Sequence, residues 1–329
     1  MSLPVRILGV GRHTPAVRVT SDELDDRYGR PRGATFARSG VRERRWIGAG
    51  ETSLSMATAA LSQALDRADL GVDDLDALIV ASVVPEQPMP TTAVLTAAAL
   101  GAVDGRLEAF DLNASCLGFL AALQQAAFGI AAGRWRRVGI ASVDIASKGL
   151  NHADLESSAL FGDGAAAAIV GPAEQGSALV AIRLRSYPSA AGLCRIPAGG
   201  TRWNAIDPPP DGSDYLFAMD GLSMMKHVAR AMPGFLDDVL AEARIGRGDV
   251  DVVVPHQASG LGLRFLRERL GIPAEKVVDI LAEQGNQVTA SMPTALAEAV
   301  QSGRLRRGDL ALLIGTGAGL LFGGAVLRY

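Results

Sequence analysis

Three side chains that could act together in covalent catalysis stand far apart in the sequence, at Cys116, His256 and Asn286. Cys116 follows an apolar segment and a short polar turn, and an Ala-rich amphipathic stretch comes after it, which is a strand–turn–helix pattern. A thiol at the start of a helix faces unpaired backbone N–H groups and the positive end of the helix dipole. We therefore expect a nucleophilic sulfur whose pKa lies below the usual value of about 8.5. The alternative is a small, buried and inert cysteine, which is our interpretation of Cys194.

His256 and Asn286 also stand at predicted strand-to-helix junctions. His256 follows the apolar run 250–254 within Pro-His-Gln-Ala, which places its imidazole at the carboxyl edge of a sheet, where α/β folds bind ligands. Asn286 follows Gly285, which permits a tight turn before a helix. An asparagine in this position is also a common helix cap, so alone it does not define a site. Surface or cap positions are expected for the other histidines, His13, His152 and His227.

Apolar runs rich in Val and Ile alternate with Ala-rich amphipathic stretches along the chain, which is typical of a mostly parallel sheet covered by helices on both faces. The polar, Pro- and Gly-rich segment 197–213 is expected to be a surface excursion. The predicted strands are 77–84, 138–141, 166–170, 250–254 and 310–314, and the predicted helices are 53–68, 117–132, 224–243, 262–270 and 293–301.

Two internal repeats indicate a duplicated fold. The segment 61–80 aligns without a gap on 236–255, an offset of 236 − 61 = 175, and GRWRR at 133–137 aligns on GRLRR at 303–307, an offset of 303 − 133 = 170. Adding 170 to 116 gives 286, so Cys116 and Asn286 occupy equivalent places in the two halves. We predict an N-terminal half, 1–172, that carries the nucleophile, and a C-terminal half, 173–329, that carries the histidine and the asparagine.

Composition excludes several classes of function. A formal charge of −3 over 329 residues argues against a general nucleic-acid binder. Two cysteines cannot form a disulfide framework, and four scattered histidines leave little for a metal site. No apolar run approaches the roughly 18 residues of a membrane span, and the start of the chain lacks a signal-peptide pattern. We therefore expect a cytoplasmic protein without a metal.

Taken together, the Cys, His and Asn motifs resemble those of the thiolase superfamily, and more narrowly its β-ketoacyl-acyl carrier protein synthase III branch. The resemblance implies an α/β fold layered αβαβα with two pseudo-symmetric halves, and a homodimer. The motifs that carry it run through nearly the whole chain: SGVRER at 39–44, FGDGA at 161–165, IPAGG at 196–200, PHQA at 255–258, GNQVTAS at 285–291 and the glycine-rich segment 315–324.

The resemblance implies a mechanism. The thiolate of Cys116 would take an acyl group from a thioester, and the backbone N–H groups of Cys116 and Gly317 would stabilise the oxyanion. His256 and Asn286 would hold a malonyl-type thioester, whose loss of CO₂ yields an enolate that attacks the acyl-cysteine. No metal or redox cofactor is implied, and the substrates would be carried by coenzyme A or by an acyl carrier protein.

The resemblance also assigns substrate and partner contacts. Some residues match pocket positions of the family, but they could equally fill a core, Met225 above all. Two arginines, Arg264 and Arg267, match a helix that docks the carrier protein, but they could equally lie on a solvated face. The residues matched to the substrate site are Arg38, Phe161, Met219, Gly221, Met225 and Met89, the last reaching the pocket of a partner subunit.

Two alternative functions stay open from the sequence. One is an acyltransferase that moves the acyl group to an oxygen or nitrogen acceptor in a secondary-metabolite pathway. The other is a non-catalytic partner subunit of a heterodimeric enzyme. Retention of the cysteine, the histidine and the asparagine favours the condensing reaction.

Overall fold

The computed structural model describes residues 3–174 and 176–329. The strands are β1 Val5–His13, β2 Val17–Thr20, β3 Glu43–Trp46, β4 Ala77–Ala81, β5 Glu108–Leu112, β6 Val138–Asp144, β7 Gly164–Pro172, β8 Ala178–Ser186, β9 Cys194–Arg195, β10 Ala218–Met219, β11 Val252–Pro255, β12 Leu310–Gly317 and β13 Leu321–Arg328. The helices are α1 Ser21–Arg27, α2 Ala34–Ser39, α3 Ser53–Ala68, α4 Thr92–Ala99, α5 Gly118–Ala131, α6 Leu155–Ser158, α7 Gly221–Ala243, α8 Gly260–Glu268, α9 Leu281–Gln284 and α10 Ser291–Gln301.

Two mixed sheets form the framework. The first has the order β1-β7-β6-β4-β5, with β4 parallel to both neighbours and β7 antiparallel to both of its neighbours. The second has the order β11-β12-β13-β8, in which only β11 and β12 run parallel. The predicted mostly parallel sheet is therefore wrong in strand direction. Continuous apolar runs report burial on both faces, and antiparallel strands enclosed by helices show the same pattern.

Helices cover both sheets and also separate them. Side chains of α5 and α10 share one buried cluster with strands of both sheets, so these two helices form the central layer. Helix α3 packs on the outer face of the first sheet, and α7 and α8 pack on the outer face of the second. The layers are therefore αβαβα, as predicted. The predicted boundary after residue 172 coincides with the end of β7, and it stays a prediction.

The first repeat appears in the structure as the same sequence of elements. In both copies a helix ends, a single 3₁₀ turn follows, and a strand enters a sheet. In the first copy the Gly71 N–H donates to Asp74 Oδ2 at 2.8 Å, and in the second copy the Gly246 N–H donates to Asp249 Oδ2 at 2.8 Å. The offset of 175 therefore describes a repeated structural unit.

The second repeat relates the ends of the two central helices. Gly133 follows α5 with φ +73°, and Gly303 follows α10 with φ +71°. This left-handed conformation is one that glycine adopts without strain, and it commonly ends helices. Strands β6 and β12 begin a few residues later. Cys116 and Asn286 accordingly precede the two equivalent helices, α5 and α10, as the offset of 170 predicts.

The surface excursion is also confirmed. Most of segment 197–213 is exposed and forms neither α-helix nor strand, and Ile206 is 96% exposed. Among residues 3–174 and 176–329, no helix combines the length and the apolar character that crossing a bilayer requires.

Candidate functional site

Cys116 lies in a tight turn between β5 and α5. Ser115 has φ +50°, and its N–H is bound by the side-chain oxygen of Asn113 at 2.9 Å, while the Asn113 amide donates to the Val83 carbonyl at 3.1 Å. Helix α5 begins two residues after the cysteine, and Gly118 lets it approach β4, since a Cβ there would lie 3.0 Å from Ala81 Cβ. The turn thus fixes the sulfur at the start of a buried helix.

The thiol of Cys116 is less acidic than the sequence predicts. The sulfur is enclosed by protein although the residue is partly exposed, and this desolvation raises the pKa of Cys116 to about 12, with Cys194 and Asp144 adding to the rise. Backbone N–H groups of Ala318 and Cys116 oppose the shift by hydrogen bonding to the sulfur. The predicted lowering by the helix start is therefore wrong, because the cost of burying a thiolate exceeds the stabilisation from these N–H groups.

His256 lies just beyond β11 and is 5% exposed. Its N–H donates to the Ile314 carbonyl at 2.9 Å, and its carbonyl accepts the Ala258 N–H at 2.9 Å, which fixes its backbone. Within the described part of the chain, its Nδ1 atom is buried without a hydrogen-bond partner. Burial lowers the pKa of His256 to about 4, so the imidazole is neutral at physiological pH.

Asn286 is held by bonds on both sides of its carboxamide. Its Nδ2 donates to the Ala258 carbonyl at 3.3 Å, and its Oδ1 accepts the Val288 N–H at 2.9 Å and the Ser291 hydroxyl at 3.2 Å. Its backbone pairs with that of Phe161 in an isolated bridge. Because Ala258 lies two residues after His256, the carboxamide is tied directly to the loop that carries the imidazole.

The end of β12 connects the cysteine to the histidine. A Cβ on Gly315 would lie 2.5 Å from His256 Cβ and 3.3 Å from Leu117 Cδ2, and a Cβ on Gly317 would lie 3.3 Å from the Cys116 nitrogen. The strand therefore runs between the turn of Cys116 and the end of β11. The segments that carry Cys116, His256 and Asn286 are therefore in contact, through β12 and the Ala258 carbonyl.

The backbone donor beside the sulfur differs by one residue from the prediction. The sequence predicts the Gly317 N–H, whereas the N–H that hydrogen-bonds to the Cys116 sulfur is that of Ala318. Gly317 contributes instead the space that lets the strand approach the Cys116 backbone so closely. Glycines in a sequence mark a backbone segment that can approach a ligand closely. Which N–H of that segment faces the sulfur depends on the local backbone conformation, which the sequence does not reveal.

Two of the predicted pocket residues line an apolar wall beside Asn286. Phe161 is buried and packs edge-on against Phe217, with ring centroids 4.8 Å apart, and Met219 packs in the same cluster. Met219 pairs with Cys194 across the small sheet of β9 and β10. Cys194, which the sequence left without a role, thus stands close enough to the site to raise the pKa of Cys116.

The other predicted pocket residues have different surroundings. Met225 is half-buried and packs against the cluster of α7 and α8, which agrees with the core-filling alternative. Met89 is 83% exposed. Gly221 begins α7 beside Glu156, whose carboxylate would overlap a Cβ at that position.

The charged residues assigned to substrate and carrier differ in their pairing. Arg38 forms an ion pair with Glu156, N to O distance 2.6 Å, and Arg267 forms one with Asp279 at 2.6 Å. Arg264 is exposed on α8 and takes part in no ion pair found among residues 3–174 and 176–329. Over the same residues, no group of three His, Cys, Asp or Glu side chains is placed to hold a metal ion.

Comparison with known proteins agrees with the fold. Residues 110–188 match the family model of 3-oxoacyl-[acyl-carrier-protein (ACP)] synthase III, and residues 240–329 match the model of its C-terminal part. The β-ketoacyl-[acyl-carrier-protein] synthase III of Symbiobacterium thermophilum is 36% identical over 99% of this chain and 98% of its own. The Clostridioides difficile protein of that name is 31% identical over 100% and 99% of the two chains.

Solved structures give the same result. The 3-oxoacyl-[acyl-carrier-protein] synthase III of Aquifex aeolicus superposes with a TM-score of 0.89 at 33% identity, covering 99% of this chain and 100% of that one. The priming β-ketosynthase of the R1128 polyketide pathway superposes with a TM-score of 0.89 at 31% identity, covering 99% and 96%.

The duplicated αβαβα fold is that of the condensing enzymes of the thiolase superfamily. Within them, the chain belongs to the β-ketoacyl-[acyl-carrier-protein] synthase III family. It is therefore an acyltransferase of the ketosynthase III type, which agrees with the condensing function that the sequence predicts.

Proposed function

We propose that Cys116 takes the acyl group of a starter thioester and that His256 and Asn286 hold a malonyl thioester for decarboxylative condensation. The observation that carries the proposal is the end of β12, which places the Ala318 N–H against the Cys116 sulfur and Gly315 against His256. One short backbone segment thereby faces both the nucleophile and the group that would hold the second substrate.

The loading step exchanges one thioester for another. Cys116 sulfur attacks the carbonyl carbon of the starter, and the N–H groups of Ala318 and Cys116 stabilise the resulting oxyanion. The carrier thiol leaves and takes up the proton that Cys116 loses, so charge is balanced. Burial raises the pKa of Cys116 to about 12, so the sulfur is protonated before the starter binds.

The condensation step requires donors that do not protonate the nucleophile. His256 and Asn286 hydrogen-bond to the thioester oxygen of the malonyl group, so the enolate formed on loss of CO₂ is stabilised. A His256 pKa of about 4 keeps the ring neutral, and a neutral ring does not readily protonate the enolate carbon. The enolate attacks the acyl-cysteine, and the expelled Cys116 thiolate takes up one proton. This chemistry needs neither a metal nor a redox cofactor.

Acyl transfer and condensation can be distinguished by mass spectrometry of the intact protein. We expect an acyl adduct on Cys116 with acyl-coenzyme A or acyl-carrier protein, no adduct on a Cys116→Ala variant, and discharge only when a malonyl thioester is added. Discharge to an alcohol or an amine without CO₂ release would establish the oxygen or nitrogen acyltransferase instead. Absence of an adduct with every donor would establish a non-catalytic subunit.

An acyl carrier protein is part of the proposal, and the names of the relatives support it. The docking surface is α8, which begins four residues beyond His256, at Gly260. Its N-cap is Ser259, whose hydroxyl accepts the Gly262 N–H at 3.1 Å. Arg264 on this helix is exposed and available to an acidic partner. Arg267 is less available because Asp279 neutralises it.

A homodimer is also part of the proposal. Strand β5 is the last strand of the first sheet, and its residues are only partly covered within one chain. Pairing with β5 of a second copy would satisfy its free edge and would cover Phe110 and Leu112. Sedimentation equilibrium tests the dimer. A mass of two chains is expected, and a mass of one chain would exclude it.

A cytoplasmic location completes the proposal. The two free cysteines support this location, because disulfides are rare in the cytosol.

A further inference from the structure

Asp144, the last residue of β6, is a buried carboxylate that the proposed chemistry does not use. It accepts hydrogen bonds from the hydroxyl and the N–H of Thr289, at 2.5 and 3.1 Å, and from the Val83 N–H at 2.9 Å. Only 3% of it is exposed, and no ion pair within residues 3–174 and 176–329 includes it. Burying a carboxylate among neutral donors is costly, so these contacts require an explanation.

Thr289 belongs to the strained turn that follows Asn286. Val288 has φ +54°, a left-handed conformation that is rare for a β-branched residue and costs about 1–3 kcal/mol. Gly285, on the other side of Asn286, has φ +67°. A strained segment keeps its conformation only where surrounding contacts hold it. The bonds from Thr289 to Asp144 are contacts of this kind.

The same threonine joins the two halves of the molecule. Its hydroxyl lies 3.2 Å from the Ala81 carbonyl at the end of β4, and its methyl carbon lies 3.3 Å from where a Cβ of Gly118 would be. Asp144 and Ala81 both end strands of the first sheet, whereas Thr289 lies in the loop of Asn286. The first sheet therefore contacts the loop of Asn286 through the side chain of Thr289.

We propose that Asp144 is a positioning residue that, through Thr289, holds the Asn286 carboxamide in place for the malonyl thioester. This inference rests on the proposed role of Asn286 in condensation. It implies a selective effect for Thr289, whose hydroxyl contacts Asp144 and Ala81, whereas the turn of Cys116 is held by the side chain of Asn113. Asp144 itself is linked to that turn, because it accepts the Val83 N–H and the Val83 carbonyl accepts the Asn113 amide. Loss of the hydrogen bonds from the Thr289 hydroxyl should slow CO₂ release and leave acyl loading nearly unchanged.

The test measures the two half-reactions separately in Thr289→Val, Thr289→Ser and Asp144→Asn. Loading is followed as acyl-Cys116 formed from acyl-coenzyme A, and condensation as CO₂ released when acylated enzyme meets malonyl-carrier protein. We expect Thr289→Val to slow CO₂ release by about tenfold or more with loading nearly unchanged, since small misplacements of a binding group cost this much. Thr289→Ser keeps the hydroxyl and should restore the rate. Asp144→Asn should slow CO₂ release as Thr289→Val does, because an amide nitrogen cannot accept from the donors that face it. Its loading rate is expected to change as well, since removing the Asp144 charge lowers the pKa of Cys116, so only Thr289→Val tests selectivity.

Thr294→Val is the matched control, since Thr294 is a buried threonine in α10 whose hydroxyl has no partner among the described residues. It should leave both half-reactions unchanged. Equal slowing of both steps by Thr289→Val, no slowing of either, or no rescue by serine overturns the inference. Asn286→Ala, assayed in parallel, distinguishes failure of this inference from failure of the proposed function. If Asn286→Ala slows loading as much as CO₂ release, the role of Asn286 is wrong; if it slows CO₂ release alone and Thr289→Val does not, only the role of Asp144 is wrong.

Discussion

The backbone of Gly315 lies against the side chain of His256, so closely that a Cβ on residue 315 would stand 2.5 Å from the Cβ of the histidine. The same Cβ would lie 3.3 Å from Leu117 and 3.4 Å from Met292. Any side chain at this position must therefore displace the imidazole or the start of α5. The absence of a side chain at Gly315 sets the position of His256.

Gly315→Ala should therefore impair condensation more than folding. Overpacking of this kind costs about 1–3 kcal/mol of unfolding free energy, whereas loss of one oxyanion donor slows a reaction by about 10²–10³-fold. The measurement is CO₂ release by the acylated variant, beside its melting temperature. The control is Gly234→Ala in α7, where glycine is exposed and nothing lies within 4 Å of the added carbon; it should raise stability by about 0.5–1 kcal/mol. Unchanged CO₂ release by Gly315→Ala would contradict the role of His256.

The raised pKa of Cys116 predicts a specific pH dependence of alkylation. Thiolate is the reactive form, and with a pKa of about 12 its fraction grows tenfold per pH unit throughout the neutral range. The logarithm of the iodoacetamide rate should rise linearly from about pH 6 to about pH 9, with no plateau. Peptide mass spectrometry of the unaltered chain follows the two cysteines separately, since replacing Cys194 would itself change the pKa of Cys116. A plateau at neutral pH would show that the free enzyme already holds a thiolate.

The two arginines of α8 should differ in their effect on a carrier-protein donor. Arg264 is exposed, whereas Arg267 is paired with Asp279 at 2.6 Å. Arg264→Ala should raise KM for an acyl-carrier protein and reduce the dependence of KM on salt, because a screened attraction between opposite charges is lost. Arg267→Ala is the matched control and should change KM less. Equal effects of the two substitutions would place the docking surface elsewhere.

Glu156→Gln should increase the use of donors that carry phosphates. The carboxylate pairs with Arg38 at 2.6 Å and neutralises it, and a half-exposed pair of this kind contributes only about 0–1 kcal/mol to stability. Freed of its partner, the guanidinium can bind a phosphate, so KM for acyl-coenzyme A should fall while KM for the shorter acyl-pantetheine stays unchanged. The gain should vanish in the double variant with Arg38→Ala. If both donors improve equally, the substitution has acted by widening the entrance instead.

The sequence predicted the features that depend on local pattern. The repeats at offsets of 175 and 170 are visible because equivalent turns need the same small and acidic residues, such as Gly71 and Asp74. The junctions at Cys116 and Asn286 follow from them. The layered arrangement follows from burial, because the pattern of apolar residues in each strand and helix indicates which of its faces is covered.

Other features depend on contacts between distant parts of the chain. The pKa of Cys116 is set by enclosure and by Cys194 and Asp144, none of which its own neighbourhood in the sequence reveals. The position of Asp144 is the one indication of its importance, since this carboxylate is the last residue of β6, a strand in which every residue is buried. The choice of Ala318 over Gly317 as donor rests on backbone orientation, which residue types do not encode.

A resting sulfur that keeps its proton has a consequence unrelated to catalytic speed, which is resistance to chemical damage. Hydrogen peroxide and reactive carbonyl compounds modify cysteines chiefly through the ionised form, and lesions beyond the sulfenic acid are largely irreversible. An enclosed, protonated Cys116 offers them little to react with between turnovers. The sulfur assigned to carry the acyl group is thus protected from oxidation while it waits for a substrate.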